Sequence, residues 1–287
     1  QLDSDLQHIK DWLKLQHHLP PSSLKESDCF LANFLTGCKG SLEKVKRKLD
    51  NYYTFRSHSE LFDNRDPLDP DYVNVKYLTY SATLPKLAKH TRIAFFTIAE
   101  ADQQKYDFLS YLKNILNQAE LILRYERNFG VQFCLLGDSK GITVREHIAN
   151  IKPLQVKDFV HYVFEVIPFR VSKMFLINAP EFLAVVMNTL VMPLMSKKLK
   201  SRFQITSNGF EEVSQYFDKS VLPRDYGGDL PSMKELSDYW RDKEIEHREW
   251  FMNELSERCD ESKRIVSEDP TNPYFGVPGS LKKLVVD

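Results

Sequence analysis

From residue 91 onward, apolar runs of strand length alternate with longer segments whose apolar residues recur every three or four positions. RIAFFTI, VQFCLLGD, VSKMFLINA and RFQIT read as buried strands. KYDFLSYLKNILNQAELILRYE, VKDFVHYVFEVI and EFLAVVMNTLV read as the helices between them. In the second helix Val156, Phe159, Val160, Val163 and Phe164 share one face. This alternation constrains the fold more than any other feature. A strand that feeds a helix and returns in the same direction builds a mainly parallel sheet with crossover helices, so the expected class is α/β.

The flanks differ. Residues 1–60 read as helices: Leu6, Ile9, Trp12, Leu13 and Leu15 form a stripe, with His17 and His18 at the charged end of that helix. PPSS then provides a turn and a capping serine, and Ser41 can cap a later helix. Residues 61–90, with FDNRDPLDPD, read as a loop-rich connector. Beyond LPRDYGGD the chain is polar and helical, and NPYFGVPGSLKKLVVD reads as an extended end. The expected division is a helical lobe over 1–75, an α/β domain over 76–230 and a packed tail over 231–287.

Composition narrows the function. With 42% hydrophobic and 28% charged residues, the 287-residue chain can bury a sizeable core. A formal net charge of −1 gives no global field toward nucleic acid or acidic lipid, so any basic site must be local. Cys29, Cys38, Cys134 and Cys259 fit neither a zinc spacing nor a dense disulfide framework and read as reduced thiols. The first twenty residues are charged and lack a signal-peptide core.

One segment stands apart. Residues 182–196 carry no charge, and Lys197, Lys198, Lys200 and Arg202 follow almost at once. At ~1.5 Å per residue the uncharged run spans roughly 22 Å, short of the about 30 Å of a bilayer core. Pro193 also interrupts it. The pattern therefore leaves two readings: a fully buried core helix, or a helix with one face on a cavity and the other turned to a membrane. Met187, Met192 and Met195 suit an adaptable apolar surface, and cations beside an apolar helix suit anionic headgroups.

Residues 137–141, GDSKG, match the G-x-S-x-G nucleophile elbow and follow a predicted strand. An elbow needs a helix immediately afterwards, whereas Ile142, Thr143 and Val144 start a helix poorly. The alternative is a strand-end turn whose glycines supply the backbone angles. A hydrolase at Ser139, with a pair such as Asp225 and His247, is the lesser reading. His8, His90, His147 and His161 have no carboxylate or thiol at ligand spacing, and adjacent His17 and His18 face different ways on a helix, so no metal site is expected. There is no phosphate-binding glycine loop.

VIPFRVSKMFLINAPEF, MPLMSKKLKSRFQI and VLPRDYGG, in that order, resemble the signature of the CRAL-TRIO (Sec14-like) lipid-binding family. FLANFL and VKRKLDNYY resemble the helical lobe that precedes this domain, and GDSKG falls where the family carries a strand-end Asp-x-x-Gly. FGVPGSLKKLVVD resembles the ending of arthropod members of the tocopherol-transfer and retinaldehyde-binding subgroup. The resemblance implies a helical lobe packed on an α/β lobe whose mixed, largely parallel sheet floors an apolar cavity closed by a gate helix. It implies a carrier of one tocopherol-, retinoid- or isoprenoid-like lipid. Such a carrier performs no bond chemistry, needs no cofactor beyond the lipid, binds no nucleic acid, is monomeric and cytoplasmic, and visits membranes transiently. A phosphoinositide-sensing adaptor is the alternative.

The faces flanking the predicted floor and gate give the expected lining: Phe159, Val163, Ile167, Val171, Met174, Phe182, Val186 and Leu190. The resemblance places the phosphoinositide- and membrane-binding patch at Arg170, Lys198 and Arg202, with Lys197 and Lys200 nearby. The chain departs from the family at Thr36-Gly37-Cys38, where the helical lobe usually carries Arg-Ala-Arg. Any phosphoinositide recognition would then lean on Lys39, Lys46 and Arg47.

Overall fold

Apolar side chains of the first three helices meet around an aromatic cluster in which Phe30, Phe34 and Tyr52 pack ring to ring at 5.0–5.8 Å. The computed structural model describes residues 1–99, 106–128 and 131–264, so the expected extended end at 272–287 lies outside the described residues. The helices are α1 (Leu2–Lys14), α2 (Asp28–Gly37) and α3 (Leu42–His58), followed by α4 (Pro70–Leu78). Capping follows local chemistry. Ser27 Oγ accepts from Phe30 N at 3.3 Å, and Asp69 accepts from Asp71 N at 3.0 Å with Pro70 opening α4. Ser41 precedes α3, but its side chain makes no capping bond.

Two expectations fail in this lobe. α1 ends at Lys14, so His17 and His18 lie beyond it; His18 turns inward and its Nε2 lies 2.6 Å from Asp50 Oδ1. Residues 61–90 are not mainly loop, because they hold α4 and the strand β1 (Thr79–Thr83).

β1 joins β2 (Thr91–Ile98), β3 (Gln132–Asp138), β4 (Val171–Ile177) and β5 (Phe203–Ile205) in one sheet of order β1-β2-β3-β4-β5. β1 is antiparallel to β2, and the other three pairings are parallel. The helices between parallel strands are α5 (Phe108–Tyr125), α6 (Pro153–His161), then α7 (Glu181–Val186) and α8 (Lys197–Lys200). α/β architecture with a largely parallel sheet is thus what the chain adopts.

Strand pleating separates two interiors. Phe95, Leu136 and Phe175 point into a core closed by Val213, Leu222 and the helices α9 (Met233–Glu246) and α10 (Arg248–Asn253). Ala94, Phe96 and Leu135 take part in the opposite face, toward α5 and α6. No helix among the described residues is long and apolar enough to cross a membrane.

Candidate functional site

The face of the sheet toward α5 and α6 does not close completely. It leaves a cavity of about 330 Å³, within the lower part of the roughly 300–1,000 Å³ range of ligand sites. Ile115, Ala119 and Ile122 of α5 line it at helical spacing, as do Val156, Phe159 and Val163 on the opposite wall. Gly137 leaves room on the floor: a Cβ there would sit 2.9 Å from Leu176 Cδ1. Among the described lining residues there is no Lys, Arg, Asp or Glu. The polar ones are Thr83, Tyr106, Tyr111, Gln118 and His147.

The uncharged run forms one wall. α7 continues as a π-helical turn (Met187–Val191) and a 3-10 turn at Met192–Leu194, where Pro193 sits. Leu183, Val186, Met187 and Leu190 face the cavity, an i, i+3, i+4, i+7 set. On the outside, Val185 is 56% and Leu194 41% exposed, and no residue of the π turn is buried. The fully buried core helix is therefore excluded: this segment has one apolar face inward and another uncovered.

Seven of the eight residues expected in the lining, Phe159, Val163, Ile167, Val171, Met174, Val186 and Leu190, are brought together on the cavity wall. Phe182 is not among them, and Leu183 takes that place. One residue is about 100° of helical rotation, enough to carry Phe182 off the inward face. Val171 and Met174 have opposite parity along β4, yet both face the cavity. The register with β3 shifts between Phe133 and Cys134, so Val171 pairs with Phe133 while Met174 pairs with Leu135.

The cations separate into two kinds. Lys197, Lys198 and Lys200 make up most of the short exposed α8, capped by Ser196 Oγ on Leu199 N at 3.3 Å. Arg202 is half-buried, and its guanidinium donates to the Val171 carbonyl, next to half-exposed Arg170. In the helical lobe Lys39 is exposed, Lys46 pairs with Glu43 at 3.3 Å, and Lys48 donates to the carbonyls of Glu165 and Ile167. Thr36-Gly37-Cys38 supplies no cation, and Gly37 has a steric role. A Cβ on it would fall 2.1 Å from Pro168 O, in the segment leading to Arg170.

The GDSKG segment comprises the last two residues of β3 and the turn after it, with Gly141 at φ +87 and a π-helical turn only at Val144–Ile148. Ser139 is 2% exposed and its Oγ makes no hydrogen bond among the described residues. Asp225 instead accepts from Met233 N at 2.6 Å, and His247 stacks on Tyr125 with ring centroids 4.5 Å apart. No group of metal-ligating side chains occurs among the described residues.

Sequence reasoning missed Tyr106, Tyr111 and His147, which share the cavity wall. The ring centroid of Tyr106 lies 5.8 Å from Tyr111 and 4.7 Å from His147. No spacing links these positions in the chain.

Residues 88–228 match the family profile described as CRAL/TRIO domain, and residues 1–72 the one described as Pinta-like, UBA domain. The matched residues 88–228 contain β2 to β5 and leave β1 outside. Clavesin-2 of Rattus norvegicus is 22% identical over 232 residues, 80% of this chain and 70% of that protein. Clavesin-1 of Mus musculus is 22% identical over 80% of this chain and 64% of its own length. The crystal structure of Sfh5 superposes with a TM-score of 0.52 at 11% identity, covering 82% of this chain and 89% of that one, a likeness of fold.

Proposed function

We propose that this chain is a carrier. It takes one neutral lipid, of tocopherol, retinoid or other isoprenoid type, into the cavity under α7 and moves it between membranes without bond chemistry. The observation that carries this reading is the cavity itself: bounded by sheet and helices, apolar, and without a charged residue in its described lining. A charged headgroup inside it would lack a counter-charge, which makes burial costly. A hydrocarbon chain of about 500 Å² gains on the order of 12 kcal/mol on leaving water, at ~25 cal/mol per Å². A bilayer offers it nearly the same, so loading is close to balanced and can run in both directions.

α7 and the two turns after it act as the gate. Their outer residues, Val185 and Leu194, are already exposed, and opening the inner face costs less at a membrane interface than in water. Lys197, Lys198 and Lys200, at the end of this segment, would hold it against anionic headgroups, with Arg170 and Arg202 behind them. Docking in this way makes the protein a monomeric, transiently peripheral visitor to cytoplasmic membrane faces.

The test is transfer of lipid between donor and acceptor vesicles by purified protein, preceded by native mass spectrometry and extraction of what co-purifies. Tocopherol or a retinoid should transfer, and Ala119→Phe, which fills the cavity from α5, should lower transfer at least several-fold. Headgroup binding with no transfer would replace the carrier by a phosphoinositide-sensing adaptor.

A further inference from the structure

A wall of aliphatic and phenyl side chains sets no direction for a ligand, because dispersion and hydrophobic burial are non-directional. Orientation has to come from the few polar groups, and these are unevenly committed. The Gln118 side-chain nitrogen already donates to Ser81 O at 3.0 Å and Ser81 Oγ at 2.7 Å. Thr83 lies beside Ala94, four residues and roughly 13 Å before Ile98 along the strand direction. Tyr106, Tyr111 and His147 gather instead past the ends of β2 and β3, with Tyr106 in ring contact with both others. His147 is 3% exposed, and its Nδ1 accepts from Thr143 N at 3.1 Å. Neither phenol makes a hydrogen bond among the described residues, yet both side chains keep surface that lines the cavity. Burial pushes the Tyr111 phenol up to about 12 and Tyr106 well above its ordinary value, so both remain protonated donors.

We propose that Tyr106 and Tyr111, packed beside the His147 ring, form the polar pole of the cavity and select a lipid that carries one neutral oxygen function, a hydroxyl or a carbonyl, at the end placed there. The inference rests on the carrier reading and sharpens it. The two phenols are neutral, so they recognise an alcohol or aldehyde terminus and offer no counter-charge to a carboxylate or phosphate. A phenol both donates and accepts, so a hydroxyl satisfies it in either sense. The hydrocarbon of the same skeleton would leave donors desolvated with no acceptor, and that asymmetry is the basis of selection.

The experiment loads the full chain from neutral phosphatidylcholine vesicles with geranylgeraniol or with the hydrocarbon of the same skeleton. Bound ligand is extracted from the re-isolated protein and quantified. The readout is the alcohol-to-hydrocarbon ratio of each variant relative to wild type, which cancels the different bilayer affinities of the two probes. Tyr111→Phe and Tyr106→Phe, which keep the rings and the packing, should each lower the ratio about three- to ten-fold, as expected for one hydrogen bond, with hydrocarbon uptake unchanged. An unchanged ratio in both variants would overturn the pole while leaving the carrier standing. Equal loss of both probes would assign the tyrosines to packing and also overturn it. Uptake of neither probe by the wild type would sink the carrier, and the pole with it. Geranylgeraniol against geranylgeranial, in wild type, then distinguishes hydroxyl from carbonyl.

Discussion

Arg56 of α3 and Glu120 of α5 meet at 2.7 Å with both side chains shut away from solvent. Glu120 also receives the phenols of Tyr52, at 2.7 Å, and Tyr162, and Arg56 reaches Glu254 beyond α10. Helical lobe, crossover helices and C-terminal segment thus share one buried charge network behind the α5 wall of the cavity. Removing one partner leaves the other charge uncompensated, which costs about 3–5 kcal/mol, whereas replacing both with apolar groups of similar size is often near neutral. Arg56→Met should therefore destabilise strongly in urea unfolding, and Arg56→Met with Glu120→Leu should recover part of the loss. An additive double mutant would mean that the two charges are not coupled.

Gly37 and Gly40 make a contrast within four residues. At Gly37 a methyl would collide with the Pro168 carbonyl, so Gly37→Ala should cost roughly 1–3 kcal/mol by forcing the two lobes apart. Gly40 faces open space at φ +74, so Gly40→Ala should cost only about 1 kcal/mol, through backbone strain alone. Unfolding midpoints of the two variants give the order, and the reverse order would remove the close approach as the reason for glycine at 37.

α8 and Arg202 should separate docking from folding. Replacing Lys197, Lys198 and Lys200 with Ala should weaken binding to anionic vesicles with little change in stability, each cation being worth about 1 kcal/mol near such a surface. The difference from wild type should fade at high salt. Arg202→Ala also removes the bond to the Val171 carbonyl and should lower stability. If the triple variant bound vesicles as the wild type does, α8 would not be the docking element.

Arg248 grips Asp66 with two bonds of 2.7 Å and holds its carboxyl below the ordinary 3.8. The folded form therefore binds this proton less readily than the unfolded chain. The stabilisation is complete above the unfolded value and disappears as pH falls through the depressed folded one. Wild type should lose more stability between pH 5 and pH 3 (about the unfolded range) than Arg248→Ala, by a small margin because Arg248 is partly exposed. Identical acid limbs in urea unfolding would show that the pair contributes nothing.

Ser139 predicts a negative result. Its burial and the lack of a hydrogen-bonded base among the described residues should leave the protein unlabelled by a fluorophosphonate probe. Labelling abolished by Ser139→Ala would restore the hydrolase reading.

β2, β3 and β4 were legible because their centres are apolar runs, as strands covered on both faces tend to be, whereas β5 is short, mixed and only half-buried. β1 was not legible, because TYSAT is stabilised by polar partners. Ser81 Oγ donates to Asn114 Oδ1 at 2.7 Å, and Ser81 N donates to Ser237 Oγ at 3.3 Å. A hydropathy pattern cannot register a serine that is buried by hydrogen bonding to residues 33 and 156 positions away. The cavity wall shows the same limit at finer scale. The apolar character of α7 is plain in sequence, but nothing local says whether Phe182 or Leu183 turns inward.

The alternation of strands and helices from β2 to β5, the uncharged run and the lysines after it were set by the sequence alone. Each depends on residues within a few positions of one another, and helical or strand periodicity is a short-range property. Which face of α7 meets the cavity, how the shift beside Phe133 brings Val171 and Met174 to one wall, and the meeting of Tyr106, Tyr111 and His147 were decided only by the tertiary structure. Those outcomes depend on packing phase and on contacts between distant segments, where a one-residue rotation or shift exchanges the inside for the outside at no local cost.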